Sequence, residues 1–460
     1  MSDIRKIAVI DIGKTNAKVV VFDAASGQEI ACLRRANTIL AGPPYPHFDV
    51  EGLWAFILQS LRRFGAEPGF DAVSITTHGA CLALLDEAGE LALPILDYEY
   101  AYPADVIADY DAVRPDFRAT FSPRLPAGLN AGAQLHYQKR CFAADFEKVS
   151  AIVTYPQYWA FRLTGVLANE ATSLGCHTDL WCPAEGDFSS LVEKLGIGGK
   201  LASVRPAFEP LGSLKAEVAD AIAIGRTIPV YCGIHDSNAS LLPHLVRGKP
   251  PFSVVSTGTW IISFAVGGNV DGLDPARDTL CNVDAYGRAV PSARYMGGRE
   301  YELLTAGRTP PDNAAIAAAV GDVVARGVML LPNVVEGCGP LPGGTLTWYG
   351  EPEDDAAYFA VVALYSALMT QTSLGLIGAQ GKTIVEGPFA GNLLYLQALA
   401  ALTGREVVVA EGGAPSGTAE GAALLCGIAP APVQERSYHP GAIDLASYRA
   451  LFFKRLSERG

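Results

Sequence analysis

Basic residues are scarce in this chain: 35 Lys and Arg stand against 48 Asp and Glu, a formal net charge of −13 over 460 residues. A field of that sign repels phosphate backbones and anionic bilayers, so neither nucleic acid nor a membrane surface is an expected partner. Long hydrophobic runs are missing too. Stretches such as 360–369 fall short of the ~18 apolar residues that cross a bilayer and are broken by Tyr365 and Ser366. Residues 1–11 carry Asp3, Arg5 and Lys6 and no apolar core before a small-residue cleavage site, so no secretory signal is expected. The nine cysteines are odd in number and lack any CxxC pair, which suits reduced thiols in the cytoplasm rather than a disulfide framework. HExxH, GxSxG and a GxGxxG opening a strand–helix unit are all absent, which removes zincin, α/β-hydrolase and Rossmann dehydrogenase chemistry. A Walker A loop ending in Gly13-Lys14-Thr15 would need a glycine where Ala8 stands.

What is present is an apolar composition, 50% hydrophobic and 18% charged, too long for one ordinary domain, so two domains are expected and three at most. Residues 4–22 read as two β-rich runs around a turn holding Gly13, Thr15 and Asn16, with a third strand over 28–34. Over 49–64, Leu53, Phe56, Ile57, Ser60, Leu61 and Phe64 share one helical face, with Asp49 as N-cap. Residues 72–77 read as a buried strand and 82–93 as a hairpin; 101–225 is Pro-punctuated, with helices near 133–140 and 156–163. A short β run over 228–233 leads into His235-Asp236-Ser237-Asn238 and a helix through Leu245. After Pro250-Pro251, residues 252–267 repeat strand, Gly-Thr turn, strand. That recurrence suggests two related domains, 1–247 and 248–460. Helices over 354–376, 393–402 and 417–426 then alternate with strands over 383–386 and 406–409, an α/β class.

Asp11-Ile12-Gly13-Lys14-Thr15-Asn16 has the composition of a phosphate cradle. Backbone N–H groups in a Gly-containing turn form an anion nest, small polar side chains add hydrogen bonds, and a carboxylate alongside can hold Mg2+ through its waters. The same residues suit any hairpin turn. Ser256-Thr257-Gly258-Thr259 repeats the device, and two such turns facing each other would hold a polyphosphate from both sides. Asp236, at a helix start, fits either an N-cap or an acceptor for the proton of an attacking hydroxyl. Residues 386–392, EGPFAGN, form a loop between strand and helix that either admits a flat nucleoside or serves helix entry, and the Gly-rich stretch 412–421 is a candidate second wall. Cys176-His177 and Cys182 match no common zinc spacing, so packing or substrate contact is the reading for them.

Taken in order, these pieces resemble the FGGY carbohydrate kinases, members of the actin-like ATPase superfamily. Residues 11–18 are similar to the family's first phosphate motif, 48–54 to its acidic helix start, 158–169 to its Y-x-x-x-x-L-T-G stretch, and 233–239 to its G-x-x-D segment. Residues 256–260 resemble the second phosphate motif. Asn392, Gln397, Ala400 and Leu402-Thr403-Gly404 resemble the nucleoside loop and helix, and 416–425 the E-x-T-A-x-G-A-A-L-L ending. The likeness is weakest over 100–150 and 300–350.

The resemblance implies two ribonuclease-H-like domains with an ATP and sugar cleft between them, and transfer of a γ-phosphoryl group to a sugar hydroxyl. It implies Asp11 for Mg2+, Asp236 as the base, and Gly13, Lys14, Thr15, Asn16, Thr257, Gly258, Thr259, Gly387, Phe389, Gly391 and Asn392 for ATP. His78, Gly79, Tyr98, Glu99 and His235 would line the sugar. His235-Asp236-Ser237-Asn238-Ala239-Ser240 and the hairpin over 82–98 are most similar to rhamnulokinase and fuculokinase-like members, which implies a 6-deoxyketohexose such as L-rhamnulose or L-fuculose. A pentulose, a polyol or a signalling sugar is the alternative acceptor, and an inactive nucleotide-binding regulator the alternative class. Either a monomer or a homodimer is compatible. Lys14 departs from the family's small residue and either meets a phosphate or points to solvent; Pro388 and Phe389 replace glycines, and Glu99 replaces a basic or amide residue.

Overall fold

Residues 4–22 form the strands Lys6–Ile12 and Asn16–Asp23 in a computed structural model that describes residues 4–411, 417–441 and 443–459. Lys6–Ile12 runs antiparallel to Asn16–Asp23 and parallel to Ala72–Thr77. The sheet order is Pro210–Ser213, Pro229–Tyr231, Ala72–Thr77, Lys6–Ile12, Asn16–Asp23, Gln28–Ala36, with Ile234–His235 also paired to Ala72–Thr77. Successive side chains of the central strand point to opposite faces. Ala8, Ile10 and Ile12 meet Leu53, Ile57 and Leu61 of the helix Val50–Ala66, while Ile7 and Val9 meet Ala419, Ala422 and Ala423 of the helix Gly417–Leu424. Because both faces are covered, residues 7–10 of the strand read as a continuous apolar run. Each fully buried Ile or Leu contributes about 1.5–3 kcal/mol. Asp49 caps its helix, accepting from Gly52 N and from Arg35 Nη2 at 2.6 Å.

The chain divides into two compact units. The first comprises Met1–Arg247 with Cys281–Ala289 and Pro415–Pro432; the second comprises Gly248–Leu280, Val290–Ala414 and Val433–Gly460. Two stretches from beyond residue 247 thus help build the first unit. Cys281 donates its N–H to Phe121 O at 3.1 Å, and Val283 packs with Leu174 and Trp181. The helix Gly417–Leu424 lies so close to Asp236–Arg247 that a Cβ on Gly421 would sit 1.7 Å from Ala239 O.

In the second unit the strand Phe252–Thr257 is antiparallel to Ile261–Val266 and parallel to Lys382–Glu386. The sheet continues through Val407–Ala410 and Glu435–Tyr438 on one side and Ala289–Tyr295 on the other. The helix Asp355–Leu376 corrects an expectation. At 22 residues and mean hydropathy 1.4 it has the length and apolarity to cross a bilayer, yet 83% of its most apolar stretch is buried inside the protein. Ser366, Thr370 and Thr372, which interrupt the run in sequence, donate to carbonyls one turn back (2.9, 2.9 and 2.7 Å) and so need no water. The stretch 300–350, where the family likeness is among the weakest, supplies most of the helix Gly297–Thr305 and all of Asn313–Arg326.

Candidate active site

The strand Lys6–Ile12 delivers Asp11 to the end of the first sheet, beside Thr76 on one neighbour and Lys18 on the other. Lys18 Nζ lies 3.5 Å from Asp11 Oδ2 and 3.2 Å from Glu29 Oε1, so two carboxylates share one cation. Burial raises the Asp11 carboxyl to about 6; Lys18 opposes the rise and the Asp236 carboxylate adds to it. No group of three or more metal-ligating side chains occurs among the described residues, so a metal here would rest on the Asp11 carboxylate; Mg2+ suits that, since it takes one or two carboxylates and completes its shell with water and phosphate oxygens.

The turn after Asp11 is clamped from within and without. Gly13 N donates to Asn16 O, Asn37 Nδ2 to Gly13 O and Asn37 N to Thr15 O, each at 2.9 Å. Thr15 and Asn16 stand exposed at the tip. Lys14 does not: its ammonium pairs with Asp97, lies 3.4 Å from Glu99 Oε2 and sits 4.5 Å from the centroid of the Tyr98 ring. The solvent-pointing alternative for Lys14 is therefore corrected, because Asp97 draws the side chain inward.

The strand Ala72–Thr77 ends at His78, whose N–H donates to Ile12 O at 2.8 Å. Burial pushes its imidazole down to about 4; Gly79 O and Asp236 work against the fall, Lys14 and His235 with it. The neutral ring bonds Gly79 O through Nδ1 at 2.9 Å and leaves Nε2 buried without a partner. With its proton on Nδ1, that Nε2 is an acceptor. His235 passes so close that a Cβ on Gly79 would lie 2.8 Å from its Nε2, which explains the glycine.

Asp236 opens the helix Asp236–Arg247 and is one-third exposed, with a side-chain accessibility of 34%. Its Oδ1 accepts from Ser237 N at 2.5 Å and Ser237 Oγ at 3.2 Å, and faces His235 Nε2 at 3.2 Å. Asn238 Nδ2 donates to His235 Nδ1 at 3.1 Å, which puts the ring proton on Nε2, toward Asp236. Burial lowers the pKa of His235, so the ring is a neutral donor. One carboxylate oxygen is thus saturated, and Oδ2 takes no hydrogen bond among the described residues.

The second unit carries a separate cavity. Gly258 N donates to Trp260 O at 3.0 Å, closing the second turn and leaving Gly258 and Thr259 exposed. The Thr257 hydroxyl is used internally: it donates to Glu386 O and accepts from Phe389 N at 3.1 Å, fastening the turn to the loop after Lys382–Glu386. Gly387, at φ 79°, lies where a Cβ would meet Thr257 O at 2.0 Å. Asn392 caps the helix Leu393–Thr403, accepting from Tyr395 N at 3.1 Å. Gly258, Thr259, Phe389, Gly391 and Asn392 line a cavity of about 690 Å³, completed by Tyr301, Pro310 and Pro311. That volume lies within the range of small-molecule and cofactor sites. Phe389 packs edge-on to Tyr301 and Tyr395 at 5.3 and 5.1 Å, so it forms an aromatic wall rather than a plug.

The N-terminal domain model of the FGGY family of carbohydrate kinases matches residues 6–243, and the C-terminal domain model of carbohydrate kinase FGGY matches residues 249–435. The chain belongs to the FGGY family of carbohydrate kinases. As an FGGY member it falls in a class of phosphotransferases with the two-domain α/β fold described above. It is similar to the solved structure of a carbohydrate kinase from Novosphingobium aromaticivorans, at 36% identity and a TM-score of 0.91, covering 98% of this chain and 100% of that one. It is also similar to an L-fuculokinase of Salmonella typhi, 26% identical over 294 residues, and to a rhamnulokinase of Halalkalibacterium halodurans, 24% identical over 270 residues. Those matches cover 61% and 55% of this chain, and span 61% and 54% of the relatives.

In this FGGY chain the first unit gathers Asp11, Lys14, His78, Gly79, Tyr98, Glu99, His235 and Asp236, with the rings of His78 and Tyr98 5.5 Å apart. Of the Gly-rich stretch expected as a second wall, Gly412 to Ser416 lie outside the described residues; beyond them Thr418 Oγ1 meets Ser240 Oγ at 3.0 Å and Glu420 pairs with Arg247. Sequence reasoning missed Asp97, Lys18, Gln157, Glu170 and Thr172. Gln157 Nε2 donates to Cys232 O at 2.9 Å and Gly233 O at 3.2 Å, just before His235. Glu170 binds Thr172 through N at 3.0 Å and Oγ1 at 2.5 Å, and Thr172 Oγ1 accepts from His235 N at 3.0 Å. A signal existed: Gln157, Asn169 and Glu170 are polar residues inside otherwise apolar stretches, and all three are buried here.

Proposed function

We propose that this chain is an ATP-dependent sugar kinase that transfers the γ-phosphoryl group to a hydroxyl of a ketose, with Asp236 as the general base. The observation that carries this reading is the asymmetry of the Asp236 carboxylate. Its Oδ1 is engaged by Ser237 and His235, which holds the group in one orientation, while Oδ2 is left to take a proton. His78 Nε2, an unpartnered acceptor, would hold a second hydroxyl of the same sugar. Gly13, Thr15 and Asn16 in one turn and Gly258 and Thr259 in the other would receive phosphate oxygens, and the 690 Å³ cavity the adenosine. Asp11 would hold Mg2+, which, when bound, neutralises charge on the phosphate oxygens. In such in-line transfer the protein supplies position and electrostatics rather than covalent chemistry. As the hydroxyl oxygen attacks phosphorus, its proton passes to Asp236 Oδ2 and the O–P bond to ADP breaks.

The similarity to L-fuculokinase and rhamnulokinase sequences supports a 6-deoxyketohexose such as L-fuculose or L-rhamnulose as the acceptor. All nine cysteines are free thiols, which supports a cytoplasmic location where ATP is available. The test is coupled ADP release over a panel of deoxyketohexoses, ketohexoses, pentuloses and polyols. Stimulation by one deoxyketohexose is expected. A pentulose or polyol as the sole activator would move the substrate assignment, and no stimulation by any sugar would overturn the kinase reading.

A further inference from the structure

The phosphate turn of the first unit contains one residue whose side chain leaves the phosphate side. Lys14 turns from the exposed tip formed by Thr15 and Asn16 toward Asp97, Tyr98 and Glu99. Asp97 is fixed in place: its N–H donates to Pro46 O at 2.9 Å and its Oδ1 also accepts from Glu99 N at 3.2 Å. It is only 7% exposed. Drawing the ammonium away toward a phosphate would leave that carboxylate buried and unpaired, which is strongly unfavourable. Lys14 has three N–H donors. One is held by Asp97; a second faces Glu99, whose side chain is 66% exposed. The third makes no hydrogen bond among the described residues, and the ammonium also lies 5.2 Å from the centroid of the Phe48 ring.

We propose, on the kinase reading above, that Lys14 is a specificity-determining residue of the acceptor-sugar subsite rather than a phosphate ligand, and that this subsite takes an uncharged polyhydroxylated substrate. The Lys14 ammonium supplies a donor, and His78 Nε2 and Asp236 Oδ2 supply acceptors, a pattern that matches successive hydroxyls. Charge gives the selectivity. One ammonium stands with Asp97, Glu99 and Asp236, three carboxylates, so the wall is net negative even though it displays a lysine. A carboxylated sugar meets that field as a like charge and is rejected, whereas a neutral ketose or polyol loses nothing. The Tyr98 ring under the ammonium keeps the donor from swinging out.

Calorimetric titration of neutral ketoses, polyols and the corresponding aldonates into the wild type, Lys14→Met and the Lys14→Met/Asp97→Asn pair tests this, with ATP titrated separately and sugar-dependent ADP release followed in parallel. The double variant removes the buried unpaired carboxylate, so a retained melting temperature separates loss of binding from loss of folding. Expected are wild-type binding of a neutral sugar and of no aldonate, sugar binding weakened about tenfold or more in both variants, and ATP affinity within about twofold of wild type. Weaker ATP binding with unchanged sugar binding would make Lys14 a phosphate ligand and overturn the inference, as would unchanged binding of both, wild-type preference for an aldonate, or no neutral sugar bound. If sugar binds and depends on Lys14 but no ADP is released, the kinase reading fails and the subsite stands. If turnover occurs and Lys14→Met leaves sugar binding intact, the subsite inference fails alone.

Discussion

The hairpin of Lys6–Ile12 with Asn16–Asp23 and that of Phe252–Thr257 with Ile261–Val266 are built alike. Each is antiparallel, each has a parallel third strand, and each closes on a bond from its turn glycine, Gly13 N to Asn16 O and Gly258 N to Trp260 O. Two residues before that glycine they part. Asp11 stands opposite Lys18 in the first, and Ser256 stands opposite Ile262 in the second. Around the first turn collect Lys14, His78, His235 and Asp236; the cavity beside the second has Phe389, Tyr301 and prolines, with Glu302 and Asp312 among its lining. The strand-turn-strand backbone is duplicated, while a carboxylate flanked by two buried histidines, Asp236 with His78 and His235, stands in the first unit. On the proposed kinase reading, each turn is a candidate for phosphate oxygens but a proton is accepted at one place only, so that reading needs the proton acceptor in one unit alone.

If that division is right, matched substitutions in the two hairpins have unequal effects. Asp11→Asn is expected to lower kcat by about 100-fold or more, since positioned charge at a phosphoryl-transfer site is worth several kcal/mol. Ser256→Ala, its counterpart, is expected to stay within about threefold, because a half-buried hydroxyl with no hydrogen bond among the described residues contributes little. Equal losses in steady-state kinetics would erase the distinction. Phe389→Leu is expected to raise KM for ATP about five- to tenfold by removing aromatic stacking, with KM for the sugar unchanged; a sugar effect instead would place the wall in the wrong unit.

The smallest effect concerns stability. Glu300, in the second unit, is 1% exposed, accepts from Tyr365 Oη at 3.0 Å and has a carboxyl raised by burial from 4.5 to about 7. Between those values the unfolded chain releases its proton while the folded chain keeps it. Stability therefore falls as pH rises through that window, and the full loss applies above it. Glu300→Gln is expected to raise the melting temperature by a few degrees at pH 8, on the order of 1–3 kcal/mol, and by little at pH 5. Glu170, in the first unit, is likewise raised by burial to about 7 but makes closer bonds to Thr172. An amide there loses one of those bonds, so Glu170→Gln should gain less at pH 8 than Glu300→Gln.

Local pattern made the hairpins, the Asp49 cap and the long helices readable, because apolar spacing and turn residues act over a few positions. What could not be read are contacts between distant residues. Lys14 meets Asp97 83 residues away, and His235 N finds Thr172 Oγ1 63 residues away. Alone in the sequence, Lys14 looks like any cation beside a glycine turn; only Asp97 tells it where to point. The placement of 281–289 and 415–432 in the first unit has the same origin, since Val283 and Ala422 are ordinary apolar residues until their partners are known. The wall from Tyr301 to Pro311 was hidden because its mix of Tyr301, Glu302 and two prolines carries no motif.

The division of labour between the two units is tested most directly by Asp236→Asn, followed by single-turnover transfer and by ATP titration on the same preparation. The exchange keeps the shape of the side chain and the hydrogen bonds at Oδ1 while removing the proton acceptor. Transfer slowed at least about 10²- to 10⁴-fold, with ATP affinity within about twofold of wild type, is the predicted result. Transfer near the wild-type rate, or ATP affinity that falls in step with it, would contradict it.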